Sequence, residues 1–233
     1  MNNYIYVIPA RAGSKRIPNK NILSFNSKPL LSHSIDFAKK VSKEDNIYVL
    51  TDSEVAKSIA LEENVNVYMR PHIYSRDNTS MIDTIFNFIN SKDIDTSYHI
   101  VLLQPTCPFR SISFFNKLKK LYESSIDSSS ALSIIKCSFF HPSKIGQLTS
   151  TNNFEFLNVI RQDNIDNSNK QSFYVISGTY YITSINNLVL NKSFTGDNPV
   201  ALEEDVSRFC NIDIPLDFEL AKLIGKSQKC VVL

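Results

Sequence analysis

The sequence predicts an α/β protein built on a doubly wound, mostly parallel sheet, interrupted by one insertion. Three observations predict it. Short β-branched and aromatic runs alternate with stretches of helical periodicity in a β-α-β-α-β order. The run Tyr98-His99-Ile100-Val101-Leu102-Leu103 is apolar on successive residues, as a strand covered on both faces must be. A chain of 233 residues fits one such domain with room for a modest insertion.

The elements follow in order. Residues 4–9 (YIYVIP) read as a buried strand that ends at a proline. A polar loop spans 10–21. Leu30, Leu31, Ser34, Ile35, Ala38 and Val41 then recur at helical spacing. Residues 46–51 form a second strand, and 53–63 a second helix with Ser53 as its N-cap. A short strand at 66–69 and a helix at 81–89 precede the central strand at 98–103. Helix 113–122 and strand 131–135 follow. From 137 to 171 the rhythm weakens into Asn-, Ser- and Asp-rich sequence with isolated aromatics at Phe139, Phe140, Phe154 and Phe156. Unstructured loops of that length are uncommon in compact domains, so this stretch reads as an inserted arm. Order returns at 174–182 and 208–212, and a last helix runs over 217–224. The division is thus 1–136 with 172–233 as the α/β domain and 137–171 as the arm.

Composition narrows the function classes. Hydrophobic residues make up 42%, enough for a substantial core, and the net charge of +2 gives no warrant for a nucleic-acid surface. The N-terminal apolar run is too short for a signal peptide and lacks a basic flank. No stretch approaches the roughly 18 apolar residues that span a bilayer. Cys107, Cys137, Cys210 and Cys230 are scattered without CxxC spacing, which reads as reduced thiols. A soluble cytoplasmic protein that binds neither nucleic acid nor membrane is the expectation. The terminal Cys230-Val231-Val232-Leu233 fits a prenylation pattern, but four-residue matches arise easily by chance.

In doubly wound sheets ligands lie beyond the carboxyl ends of the strands, so the loop after the first strand comes first. Pro9-Ala10-Arg11-Ala12-Gly13-Ser14-Lys15-Arg16-Ile17-Pro18-Asn19-Lys20-Asn21 holds four cations among small residues. Gly13 lets the backbone approach an anion closely, and fixed cations offset the spreading charge of a polyphosphate. The loop is neither a Walker A nor a dinucleotide fingerprint, since Gly13 is its single glycine. A solvated basic loop is the bland alternative.

The string IPARAGSKRIPNKN resembles the signature of the acylneuraminate cytidylyltransferases, the family of CMP–sialic acid synthetases and their legionaminate and pseudaminate relatives. The resemblance implies a Rossmann-like nucleotidyltransferase that transfers CMP from CTP to a nine-carbon 2-keto (nonulosonic) acid. It implies that the loop from Ala10 to Asn21 wraps the triphosphate, with Arg11, Gly13, Ser14, Lys15 and Lys20 at the phosphates and Asn21 near the nucleotide. Similar matches run almost end to end. Thr51-Asp52-Ser53 is similar to the family's TD turn, and Arg70-Pro71 with Asp77 and Ser80 to its cytosine-side segment. Arg70 as a plain surface cation stays open. Leu102-Leu103-Gln104-Pro105-Thr106-Cys107-Pro108-Phe109-Arg110 resembles LLQPTSPLR, with Cys107 for Ser and Phe109 for Leu. Gln104 then either reads the sugar or merely closes a strand end.

Ser177-Gly178-Thr179-Tyr180-Tyr181-Ile182 resembles the family's NGAIYI, and His141-Pro142-Ser143-Lys144 a segment whose lysine serves the site. The resemblance thus implies Ser177, Gly178 and Lys144 on the sugar side. It stops at the family's Arg-Gln-x-Leu-Pro stretch before NGAIYI, where Asn167-Ser168-Asn169-Lys170-Gln171-Ser172 stands here, and Lys170 is the candidate for the lost charge. Asn211-Ile212-Asp213-Ile214-Pro215-Leu216-Asp217 is similar to D-I-D-T-P-E-D, whose two leading carboxylates stand near Mg²⁺. Here Asn211 replaces the first and Asp213 keeps the second. Residues 211 and 213 share one face of a strand if the segment is extended. Mg²⁺ takes hard oxygen ligands, one or two carboxylates plus phosphate oxygens and water, so Asp213 suffices with CTP and Asn211 can add a carbonyl. Arg11, Lys20 and Asp213 are the expected catalytic set, and Asp217 the cap of the last helix. The resemblance also implies a homodimer paired through the arm.

Two other readings stand beside this one. A CMP–Kdo synthetase usually carries R-L-P-G-K-P in the first loop and Q-G-D-E-P after the central strand; Ile17-Pro18-Asn19-Lys20-Asn21 and Gln104-Pro105-Thr106 stand here instead. A non-catalytic nucleotide-binding relative is suggested by Asn211 and Ser177.

Overall fold

The computed structural model describes residues 3–76, 79–137, 142–156 and 172–230. In chain order the elements are β1 (Tyr4–Pro9), β2 (Ser24–Phe25), β3 (Lys28–Pro29), α1 (Leu30–Val41), β4 (Ile47–Thr51), α2 (Glu54–Glu62), β5 (Asn66–Met69) and α3 (Met81–Ser91). Then come β6 (His99–Leu102), α4 (Ile112–Ser124), β7 (Ser130–Lys136), β8 (Gly146–Leu148), β9 (Phe154–Phe156), β10 (Tyr174–Ser184), α5 (Ile185–Asn191), β11 (Pro199–Glu203) and α6 (Pro215–Cys230). Asp77, Phe139, Phe140, His141, Lys170 and the last three residues of the Cys230–Leu233 tetrapeptide, all singled out above, lie outside the described residues.

Seven strands form one sheet in the order β11-β7-β10-β6-β1-β4-β5. Every pairing is parallel except those of β10, which runs antiparallel to both β6 and β7. The doubly wound, mostly parallel sheet is therefore the observed one. Strand β1 displays the logic of two covered faces. Tyr4, Tyr6 and Ile8 pack with α1, α2 and α4 on one side, while Ile5 and Val7 pack with α3 and α5 on the other. Successive side chains of a strand point to opposite faces, so an unbroken apolar run requires both to be buried. Four helix starts are set by serines. Ser53, Ser80, Ser111 and Ser184 each accept an amide hydrogen bond from the residue three positions on. Such caps contribute about 1 kcal/mol each.

A third, smaller core decides where the site can lie. Ile17 of the first loop, Phe25, Leu30, Cys210, Ile212 and Ala221 pack together, with Phe109 and Phe218 against them. It draws the cationic loop, the turn after β6 and the start of α6 to one end of the sheet.

Several expectations need correction. The predicted order at 208–212 is not a strand: a 3₁₀ turn at Val206–Arg208 leads into a segment that joins no sheet among the described residues. Its one anchor of this kind is the Ile212 amide, which donates to Thr106 O at 2.9 Å. The last helix begins at Pro215, earlier than predicted, and runs to Cys230. Helix α5, edge strand β11 and the β2–β3 hairpin carry no prediction. Helix α5 is seven residues long and Asn-rich, ending at Lys192 in a left-handed conformation (φ 45°). Strand β11 alternates exposed and half-buried positions, so neither element has a strong apolar pattern.

Within 137–171, the described residues form a 3₁₀ turn at Pro142–Lys144 and the β8–β9 hairpin, a two-stranded sheet separate from the main one. Gly146 permits the close crossing, since a Cβ there would run into Glu155 O and the Phe154 ring.

Candidate active site

The loop after β1 is pinned by the strand beside it. Ala10 extends the ladder by donating its amide to Leu50 O at 2.9 Å. The Thr51 hydroxyl donates to Ala10 O at 2.6 Å, and the Asp52 carboxylate accepts from the Ala12 amide at 2.8 Å. Asn21 closes the loop from its far end, its side-chain amide donating to Arg11 O at 3.0 Å. Thr51 and Asp52 thus act on the loop's backbone.

The loop forms one wall of a cleft of about 350 Å³ at the carboxyl ends of β1 and β6. Its lining includes Arg11, Ser14, Lys15, Arg16, Lys20 and Asn21 from the loop, Arg70 and Met81 from the side of β5 and α3, Gln104, Pro105 and Thr106 after β6, and Asp213. Five cations therefore face one carboxylate. Such a cleft attracts a polyanion. Lys20, with its side chain 13% exposed, donates to Asp213 Oδ1 at 3.0 Å and to Ile212 O at 2.8 Å. Asp213 has its side chain 47% exposed and lines the cleft.

Arg70 is 7% exposed. One terminal nitrogen donates to Thr84 Oγ1 at 3.0 Å and to Tyr74 O, while its buried Nε has no partner. Burial pulls its pKa down and Asp52 pushes it back up. It is a buried cation presented to the cleft, not a loose surface residue. Gln104 lines the cleft and points its amide at Gly178 O, 3.5 Å away.

Comparison with known proteins settles the family. The cytidylyltransferase family model matches residues 5–212.

This chain belongs to the cytidylyltransferase family.

Within that family it stands with the acylneuraminate cytidylyltransferases. It is similar to the CMP-N,N'-diacetyllegionaminic acid synthase of Legionella pneumophila, with 30% identity over 97% of this chain and 98% of that protein. It is also similar to the N-acylneuraminate cytidylyltransferase of Escherichia coli, with 31% identity over 96% of this chain. The chain spans about half the length of that relative, 52%. Among solved structures, a CMP:2-keto-3-deoxy-manno-octonic acid synthetase complexed with CTP superposes with a TM-score of 0.72. At 17% identity over 97% of this chain and 100% of that one, the likeness is one of fold.

The other residues predicted for this cytidylyltransferase site fall in four places. Ala10 is 1% exposed and lies under the loop, its backbone engaged by Leu50 and Thr51. Around Gly13 a Cβ would meet nothing within 4 Å, so the protein itself does not demand a glycine there. Ser80 stands beside Met81 but caps α3, its hydroxyl bonded to the Asp83 amide and carboxylate at 3.0 and 2.7 Å. Lys144 is exposed on the arm, away from the cleft lining. Ser177 is 3% exposed, with its hydroxyl donating to Glu204 and lying 2.6 Å from Ser133 Oγ. Gly178 carries a φ of 83°, which a side chain would oppose, and offers its carbonyl to Gln104. Arg16, Met81, Pro105 and Thr106 line the cleft without having been predicted as site residues. Arg16 was visible as one of the four loop cations, and Thr106 as a polar residue just past the central strand.

The departures from the family pattern lie together. Cys107 Sγ sits 3.8 Å from Asn211 Oδ1 and 4.0 Å from Ser177 O. Burial pushes the Cys107 thiol up to about 11 and the Cys210 thiol up to about 12, so neither supplies a thiolate nucleophile near neutral pH. Asn211 Nδ2 lies 3.4 Å from Asp213 Oδ2, so the two side chains do share a face even though the segment is not a strand. Asp217 accepts from the Asp213 and Ile214 amides at 2.8 and 2.9 Å and caps α6 as expected.

The donor set suits a hard cation. No cluster of three His, Cys, Asp or Glu side chains occurs among the described residues. Asp213 offers one half-exposed carboxylate, while Asn211 turns its amide nitrogen toward Asp213 and its carbonyl toward Cys107. A single carboxylate is nonetheless a partial shell that Mg²⁺ accepts when a polyphosphate and water provide the rest. No helix among the described residues is long and apolar enough to cross a membrane.

Proposed function

We propose that this chain transfers the CMP group of CTP to the anomeric hydroxyl of a sialic-acid-like nonulosonic acid, of neuraminate, legionaminate or pseudaminate type, and releases pyrophosphate. The observation that carries the reading is one cleft in which Lys20 meets Asp213 and which Gln104 lines together with the cationic loop. A polyphosphate fits the five-cation side; a polar acceptor fits the amide-lined side.

In this mechanism Arg11, Ser14, Lys15 and Lys20 bind and orient the triphosphate, and Arg70 lies toward the base. The sugar hydroxyl attacks the α-phosphorus, the bond to the β-phosphate oxygen breaks, and pyrophosphate leaves. The fixed cations offset charge that spreads onto the non-bridging oxygens, the largest service a protein gives phosphoryl transfer. Mg²⁺ would be held by Asp213, joined by the Asn211 carbonyl once that amide turns over, and would supply further charge neutralisation at the phosphates. Lys20 holds the Asp213 carboxylate in place at the cleft. Gln104 and Gly178 face the acceptor. Lys144 and Lys170 serve the sugar from the arm, which pairs two copies of the chain in the cytoplasm.

The test is CTP-dependent pyrophosphate release with a panel of nonulosonic acids and Kdo. Release with a nonulosonate and not with Kdo is expected; Kdo as the preferred acceptor, or no release with any acid, overturns the reading.

A further inference from the structure

A second cavity, of about 170 Å³, lies behind the Gln104 turn and is bordered by Arg110, Phe114, Tyr180, Glu204 and Arg208. Arg110 directs its donors to neutral acceptors on three different segments. They reach Gln104 O at 2.6 Å, Thr179 O at 3.4 Å and Ser34 Oγ at 2.9 Å. Its guanidinium carbon stands 5.9 Å from the Phe37 ring centre and 6.0 Å from that of Tyr180. An arginine so engaged has little left for a ligand and acts as a brace.

What it braces is the irregular part of β10. The register with β7 breaks between Ile176 and Tyr181. Inside that break the Ser177 hydroxyl is held by Glu204 and Ser133, and the Thr179 carbonyl by Arg110. Gly178 lies between, with the left-handed backbone that turns its carbonyl toward the Gln104 amide. One guanidinium therefore ties the backbone of Gln104 to the backbone that Gln104 faces.

We propose that Arg110 and Glu204 are positioning residues: a clamp behind the cleft that fixes the Ser177–Gly178–Thr179 bulge against Gln104 and so sets the subsite for the sugar acid. The proposal rests on the cleft's being a CTP and nonulosonate site. The loop from Ala10 to Asn21 is held by other groups, Thr51, Asp52 and the core around Ile17. Loss of the clamp therefore falls on the sugar side alone. Misplacing a reacting group by about 1 Å can cost about 100-fold in rate.

The experiment compares wild type with Arg110→Ala, Arg110→Lys and Glu204→Gln. It measures kcat and KM for CTP and for the sugar acid, CTP affinity by calorimetry, and melting. Arg110→Ala is expected to lower kcat/KM for the sugar by about 100-fold, with CTP affinity held within about twofold. Guanidinium ion at low millimolar concentration should restore part of that loss, since the cavity opens beside the vacated position, while leaving wild type unchanged. Glu204→Gln should move the sugar KM in the same direction by less. If Arg110→Ala does not fold, Arg110→Lys decides, because it keeps the charge but not the three-way fork. An unchanged sugar kcat/KM in Arg110→Lys then overturns the clamp. Equal losses for CTP and sugar in every folded variant would mean a general structural role and also overturn it. Wild type inactive with every nonulosonate sinks the underlying reading; wild type active with variants unaffected on the sugar side sinks the clamp alone.

Discussion

Lys20 Nζ lies 3.0 Å from Asp213 Oδ1 although 193 residues separate them in the chain. The pair closes the cleft by joining the loop after the first strand to the segment before the last helix. With one partner nearly buried and the other half-exposed, its value to folding is small, of the order of 1 kcal/mol or less. Its value to a phosphoryl-transfer site is larger. Asp213→Ala is therefore expected to abolish turnover while the melting temperature stays near wild type. A rate within about threefold of wild type at saturating Mg²⁺ would remove Asp213 from the site.

Lys20→Ala tests the other half of the pair. Removing one preorganised charge contact is expected to cost at least about 2 kcal/mol in transition-state stabilisation, or about 30-fold in kcat/KM for CTP. An unchanged kcat/KM for CTP would mean that the loop does not hold the triphosphate.

The two thiols beside the site should be silent. With Cys107 at about 11 and Cys210 at about 12, iodoacetamide at neutral pH is expected to leave both unmodified in the native protein and to label both in urea. Mass mapping checks this. Native labelling of Cys107 at the rate of a free thiol would contradict its burial.

Acid should destabilise the fold through two histidines. Burial lowers the pKa of His33 and of His99 below the ordinary 6.5. The unfolded chain then binds protons more readily than the folded one, so stability is full above 6.5 and falls as pH drops toward the folded values. His99, its ring tilted against that of Tyr4 and bonded to Tyr122 at 3.0 Å, is the better probe. Melting temperature is expected to fall between pH 7 and pH 5, and His99→Asn to flatten the slope; an equal slope in that variant would assign the effect elsewhere.

How much of this was legible in the sequence depends on how local the signal is. Strand β1 and the Ser53 cap were legible because an apolar run and a serine before a helix act through near neighbours. The cationic loop was legible for the same reason. Ser177 was not, because what decides its role is Ser133 on β7 and Glu204 just past β11. Arg110 likewise looks like an ordinary motif residue until the fold brings Ser34, Gln104 and Thr179 around it. The short helix α5 and the edge strand β11 were missed because their apolar patterns are weak.

The arm provides the last prediction. Phe154 and Phe156 stand on the β8–β9 hairpin at 52% and 48% exposure, their rings 5.1 Å apart and perpendicular. Leu148 on the facing strand and Tyr174, Val175 and Ile176 at the start of β10 are also exposed. Exposed large side chains clustered like Phe154, Phe156 and Leu148 mark an interface, and twofold dimers are the commonest assemblies. Light scattering at micromolar concentration is expected to give twice the chain mass of 26.5 kDa. A mass near one chain would refute the dimer. Replacing Phe154 and Phe156 together by Ser should split it, since a strand pair this short has no other apolar face to offer. If the arm also reaches a neighbour's acceptor subsite, the same variant raises KM for the sugar more than for CTP. Loss of CTP affinity instead would assign the arm to the nucleotide side, and Lys144 with it.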